Sequence, residues 1–194
     1  MLRSSRSAFA RFCVRRAAAC QRSAPGRADR WLRLACALTP RFAEPHQALV
    51  HLRRTTEDRW GAVAAARDAV ERFPTSADAW LLLGDAYHMV FRQPEALAAY
   101  EQALVLEERP DAAMAAGEIY SRAGRHADAA SRFARAYAAG GGADALWRNA
   151  QALFRAGDES ASEDALNLWA TQVPGGHDRL ATARAELRAG RKTE

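Results

Sequence analysis

The chain has one lysine, Lys192, among 28 basic residues, so its positive charge is almost entirely arginine. No stretch reaches the roughly 18 uninterrupted apolar residues of a membrane-crossing helix, and no membrane span is expected. Cysteine is scarce: Cys13, Cys20 and Cys36 all lie near the start, without CxxC or Cys/His ligand spacing. An odd number in a helical pattern argues against a disulfide framework and fits a reducing compartment. These residues are expected to serve as small buried hydrophobes. The five histidines, His46, His51, His88, His126 and His177, are scattered and form no HExxH pair, so no metal and no cofactor is expected. Neither GxxxxGK[ST] nor GxSxG occurs. The GGG run at 140–142 follows a helical pattern rather than a strand and reads as a helix C-terminal turn. The acid pairs Glu107–Glu108 and Glu163–Asp164 sit at repeat junctions or helix starts and read as solvated charge. With no nucleophile motif, phosphate loop or metal set, the chain is not expected to be an enzyme or to take a small-molecule substrate.

Charge is unevenly placed. Residues 1–42 hold ten arginines and one acid, Asp29, a net of +9; the rest hold 18 basic and 22 acidic groups, a net of −4. The overall +5 therefore describes neither part, and nucleic-acid binding does not follow from it.

What is present is a cadence. Trp80, Leu83, Gly84 and Tyr87 fall at i, i+3, i+4 and i+7, one face of a helix. Ala96, Tyr100 and Ala103 make the face of a second. Pro94 suits the first turn of that second helix, where its missing N–H costs nothing, and its ring pushes the preceding residue out of helical geometry. Shifted by 33 residues, Gly84, Tyr87, Ala96, Tyr100 and Ala103 land on Gly117, Tyr120, Ala129, Phe133 and Ala136. Shifted back by 34, the second helix lands on Ala62, Ala66 and Ala69, with Pro74 closing the unit. A forward shift reaches Trp147, Phe154, Ala165 and Trp169 if the turn GDESASED holds two extra residues. A period of this length predicts a solenoid of helical hairpins. Gly84 would cost a helix about 1 kcal/mol relative to Ala. It is expected where the paired helices cross, with Ala96, because only small side chains let the backbones come close there.

The pattern W-x2-L-G-x2-Y followed by A-x3-Y-x2-A, at Trp80, Leu83, Gly84, Tyr87, Ala96, Tyr100 and Ala103, resembles the tetratricopeptide repeat signature. The resemblance implies an all-α, right-handed α-solenoid, with repeats over 43–76, 77–109, 110–143 and 144–176. It also implies a concave groove lined by the first helix of each repeat. Carried over by register, that groove takes Glu44, Gln47, His51, Arg54 and Thr55, then Asp78, Leu81, Asp85, His88 and Met89. The third repeat adds Asp111, Met114, Glu118, Ser121 and Arg122, and the fourth Ala145, Arg148, Ala152, Arg155 and Ala156. The Lys and Asn clamp of chaperone-binding members is not matched at Gln47, His51, Leu81 and Asp85. Met89 and Met114 suit an adaptable apolar contact, and Arg148 with Arg155 suits an acidic segment.

Both ends allow a reading. MLRSSRSAFARFCVRRAAAC is rich in Arg, Ser and Ala and free of acids, as a mitochondrial presequence is. Yet Ala28, Leu32, Ala35 and Pro40 keep the second-helix register one unit further back. Residues 1–42 are therefore expected to be a degenerate capping repeat, with residues 9–22 as its first helix and SAPG as its turn; a targeting peptide is the alternative. Over 177–194, Leu180, Ala183 and Leu187 predict a capping helix, begun by Asp178 and ended by Gly190, then a short tail. The expected function is a non-catalytic adaptor or scaffold, cytoplasmic or alternatively mitochondrial, holding a protein or peptide segment in its groove. Nucleic acid is disfavoured as a partner. The alternatives are an assembly factor or structural subunit, since FRAGDESASEDALNLW resembles the C-terminal repeats of bacterial cytochrome c assembly proteins, or a nucleic-acid binder using the basic arm.

Overall fold

The structure, a computed structural model, describes residues 2–39 and 43–190. Pro40 and the tail 191–194, both read above, lie outside the described residues. Every element among the described residues is an α-helix, and two compact units divide the chain.

The first unit, Met1–Leu106, holds α1 (Leu2–Cys20), α2 (Pro25–Leu38), α3 (Ala43–Thr55), α4 (Arg59–Arg72), α5 (Ala77–Met89) and α6 (Gln93–Leu106). They pair as hairpins α1–α2, α3–α4 and α5–α6, and each hairpin packs on the next through α2–α3 and α4–α5. The second unit, Glu107–Glu194, holds α7 (Pro110–Arg122), α8 (His126–Ala138), α9 (Gly142–Ala156), α10 (Glu159–Gln172) and α11 (Gly176–Gly190). Here α7–α8 and α9–α10 are hairpins joined through α8–α9, and α11 packs on α10. Within each unit the hairpins stack in chain order, the nearest-neighbour arrangement of an α-solenoid.

Local chemistry sets the helix limits. Asp58, Ser76 and Asp158 cap α4, α5 and α10 by accepting from the backbone N–H of Gly61, Ala79 and Ala161, each satisfying one orphan donor of a first turn. Pro25 and Pro110 open α2 and α7 at a position where no N–H is needed. Asp178 lies inside the first turn of α11, which begins two residues earlier than expected; its charge still favours that helix end.

The cores repeat as strictly as the helices. In the second helices the buried positions that recur at the repeat spacing are Ala28, Leu32, Ala35 and Cys36; Ala62, Ala66, Ala69 and Val70; Ala96, Tyr100, Ala103 and Leu104; then Ala129, Phe133 and Ala136. The first helix of the last hairpin departs from the sequence reading. In α9 the buried set is Ala145, Leu146, Asn149, Ala150 and Ala152, which repeats Ala112, Ala113, Ala116, Gly117 and Ile119 of α7 at a spacing of 33. In α10 Ser162 and Leu166 are buried where Ala129 and Phe133 lie one unit earlier, again 33 residues apart. The turn GDESASED therefore holds no insertion. Trp147 and Trp169 are half-buried neighbours of this core rather than its signature residues.

The turns confirm that spacing. A left-handed residue follows the first helix at Glu57 (φ 61°), Phe91 (φ 59°), Gly124 (φ 73°) and Gly157 (φ 89°). After it, Arg92, Arg125 and Asp158 donate their backbone N–H to the carbonyls of Tyr87, Tyr120 and Leu153, the Schellman closure of a helix end.

Gly84 and Gly117 have one explanation. A Cβ on Gly84 would stand 2.5 Å from Cδ1 and Cε1 of Tyr100, and one on Gly117 would stand 2.6 Å from Cε1 of Phe133. The missing side chain is the seat of the ring on the partner helix, so the propensity cost is offset by packing. Trp80 is half-buried, and its indole N–H donates to the carbonyl of Pro74 at 2.8 Å.

Candidate partner-binding clefts

In the first unit, α3 and α5 lie side by side and leave an open cleft of about 420 Å³, lined by Glu44, Gln47, Ala48, His51, Asp78, Leu81 and Leu82. Of the groove positions carried over from the resemblance, Glu44, Gln47, His51, Asp78 and Leu81 are all here. Leu81 and Leu82 are half-buried and give the cleft an apolar floor, while Glu44 and Asp78 bring acidity to it. The remaining groove residues of this unit behave differently. Arg54 is tied to Asp85, Nη1 to Oδ2 at 2.7 Å, and Asp85 Oδ1 accepts from the Tyr100 hydroxyl at 2.9 Å. That pair joins α3, α5 and α6 and belongs to the framework. His88 and Met89 lie half-buried at the end of α5, outside the cleft lining.

In the second unit, Glu118, Arg122, Arg148 and Arg155 do converge, around a cleft of about 130 Å³ with Ser121, Phe133, Gln151 and Ala152. The charges there answer one another. Glu118 accepts from Arg148 at 3.0 Å and from Arg122 at 3.4 Å, and Arg148 also reaches Asp144 at 3.2 Å. Asp111 is held by Arg109 at 2.9 Å and 3.2 Å. Burial pushes its carboxyl up, but the Arg109 guanidinium and the Ala112 N–H pull it further down, to below the ordinary carboxylate range. Met114 packs against Ala129, Ala130, Phe133 and Ala152 as part of a core cluster. Ala145 is 0% exposed and offers no groove face, and Ala152, although it lines the cleft of about 130 Å³, is only 2% exposed. The one-residue register shift puts Trp147 there instead. It stands 5.6 Å from Trp169, ring to ring, beside a second cleft of about 490 Å³ that Asp144, Arg179, Thr182 and Glu186 complete.

The buried polar side chains of Asn149 and Ser162 escaped the sequence reading. Asn149 donates to the Ala130 carbonyl at 2.7 Å, locking α9 to α8, and the Ser162 hydroxyl donates to the Ala150 carbonyl at 2.9 Å, locking α10 to α9. His46 is buried with Nδ1 3.2 Å from Asp68, its ring edge-on to Phe73, and Nε2 without a hydrogen-bond partner. Burial lowers its pKa more than Asp68 raises it, so the imidazole is held neutral. Cys13 and Cys36 are buried free thiols and Cys20 is half-buried. Burial, with Asp68 nearby, pushes the Cys36 thiol up to about 11. No group of three or more metal-ligating side chains occurs among the described residues, and no described helix is long and apolar enough to cross a membrane.

Hairpins repeated every 33 or 34 residues, two of them seating a ring of the second helix on a glycine of the first, define a helical-repeat scaffold. The family model for the tetratricopeptide repeat matches residues 48–113 and 114–177, and the chain belongs to that family. No curated protein matches the sequence. Among solved structures, the MamA protein is 18% identical at a TM-score of 0.71, covering 90% of this chain and 94% of its own. PilF of Pseudomonas aeruginosa is 18% identical at 0.69, covering 97% and 93%. YrrB, described as a TPR protein with an unusual peptide-binding site, is 18% identical at 0.66, covering 89% and 90%. At these identities the likeness is one of fold. The fold makes protein–protein interaction the class of function it supports, in a family whose members are generally non-catalytic.

Proposed function

We propose that the chain is a non-catalytic adaptor that holds an extended segment of a partner protein against the first-helix faces of its repeats. The observation that carries this reading is the α3–α5 cleft, where five residues assigned to the groove by register line one open surface. Leu81 and Leu82 would take an apolar side chain, and Glu44 and Asp78 favour a segment that also carries a basic residue. Capture of an acidic segment by Arg148 and Arg155 is less well supported, because Arg148 already faces Glu118 and Asp144. The solved structure of YrrB, with its peptide-binding site, is a precedent for such use of the fold.

In this reading α1–α2 acts as a divergent capping repeat and α11 as the closing helix, flanking four binding repeats. The three free thiols favour a reducing compartment such as the cytoplasm. The test is peptide selection from a display library on the intact chain, repeated with Leu81→Glu. Loss of the selected apolar-basic peptides at unchanged thermal stability supports the assignment, and undiminished binding removes it.

A further inference from the structure

The α1–α2 hairpin carries a surface that peptide binding leaves unused. On α1, Phe9, Phe12 and Arg16 recur at i, i+3 and i+7 and so share one face, apart from the buried stripe of Ala10, Cys13 and Ala17. Phe9 and Phe12 are each 46% exposed. They stack with ring centroids 5.8 Å apart, and Trp31 of α2 meets Phe12 edge-on at 6.1 Å. Leu34, also exposed, adds apolar surface from α2.

The charge on the same hairpin is unanswered. Arg11, Arg15, Arg16, Arg22, Arg27 and Arg30 are all exposed, and none forms an ion pair among the described residues. The hairpin's one acid, Asp29, is taken by Arg33 at 2.6 Å and by Arg53 of α3 at 2.9 Å. Elsewhere guanidiniums find carboxylates: Arg54 with Asp85, Arg72 with Asp68, Arg109 with Asp111, Arg135 with Glu108.

We propose that this hairpin docks on an anionic phospholipid bilayer. Exposed aromatic and aliphatic side chains beside arginines are the chemistry of a surface-lying amphipathic element, in which rings enter the boundary between headgroups and acyl chains. Arginine stems run along that apolar layer while their heads reach lipid phosphate in bidentate contact. The details favour lipid over nucleic acid. Base binding needs open ring faces, whereas Phe9 and Phe12 already stack on each other, and Leu34 offers a base nothing. A second copy of the same face is disfavoured by the repulsion of its unpaired arginines.

The test is co-sedimentation of the intact chain with phosphatidylcholine vesicles, with and without about 30% phosphatidylserine, at about 0.15 M and about 1 M salt. The expected result is binding only to the serine-lipid vesicles, lost at high salt. Replacing Arg11, Arg15 and Arg16 by Gln should lower the partition coefficient about fivefold per arginine, roughly a hundredfold in all. The Phe9→Ser/Phe12→Ser variant should lose at least about tenfold with its helical circular dichroism retained. The arginine variant changes only exposed side chains and keeps the test valid if the phenylalanine variant misfolds. Three results overturn the proposal: equal binding to both vesicles, no binding to either, or single-stranded nucleic acid bound more tightly than vesicles. A dimer that becomes monomeric when Phe9 and Phe12 are replaced would equally overturn it, by showing the face to be a self-interface.

Discussion

Replacing Gly84 with Ala puts the packing argument at risk, because propensity and packing predict opposite signs. As an interior helical residue, Ala should stabilise α5 by about 1 kcal/mol. Its Cβ, however, would stand 2.5 Å from two atoms of the Tyr100 ring, a distance that something must move to relieve. The ring has no easy retreat: Tyr100 is 2% exposed, and its hydroxyl is held by Asp85 at 2.9 Å. Overpacking of this kind costs about 1–3 kcal/mol, so the net expectation is a loss of up to about 2 kcal/mol, or roughly 2–8 °C in Tm for a loss of 1–2 kcal/mol in a chain of this size. Gly26 is the control, since no atom lies within 4 Å of the Cβ it would gain. There Ala should be neutral or stabilising by up to about 1 kcal/mol. Urea unfolding of both variants, and of Gly84→Ala combined with Tyr100→Ala, reads the effect; in the double variant the Gly84→Ala step should become favourable. A Gly84→Ala chain more stable than the parent would refute the seat assigned to the ring.

Phe91→Gly should stabilise by about 0.5–1 kcal/mol: a left-handed L-residue costs about 1–2 kcal/mol, and glycine returns part of that as unfolded-state entropy. Phe91 is 77% exposed, so little packing is lost, and the urea midpoint should rise. His46 makes stability fall on acidification. Its folded pKa lies below the unfolded value near 6.5, so its contribution is full above that pH and is lost as pH falls from there through the lower folded value. Asp68, Arg72 and Phe73 surround it. Denaturant titrations at neutral and mildly acidic pH should show the fall in the parent and a weaker one in His46→Gln; equal pH slopes in the two chains would exclude His46 as the cause.

The fold was legible in the sequence wherever the packing rule and the signature residues coincided. At Gly84–Tyr100 and Gly117–Phe133 a small residue and a ring meet in letters as well as in space, and the period follows from them. In the last hairpin, α9–α10, the rule holds but the letters change. Ala150 faces a core that holds Leu166, and Ser162 replaces an alanine, so volume is kept while identity is lost. Two tryptophans a few residues away matched the signature better and drew the register one residue too far in α9 and three in α10. The clefts were legible in part, because register says which positions leave the core but not which charges find each other. Arg54 with Asp85 and Arg148 with Glu118 are opposite charges about one repeat apart, 31 and 30 residues. A search for acid–base pairs at the repeat spacing would have exposed them. Asn149 and Ser162 gave no comparable signal, since their partners are backbone carbonyls.

Proton–proton nuclear Overhauser contacts between facing residues of the hairpins α5–α6, α7–α8 and α9–α10 measure the repeated seat itself. Contacts from the Gly84 α-protons to the Tyr100 ring, from the Gly117 α-protons to the Phe133 ring, and from the Ala150 methyl to the Leu166 methyls are the predicted result. Ala150 contacts running to the Trp169 indole with none to Leu166, or glycine α-protons with no ring neighbour, would contradict it.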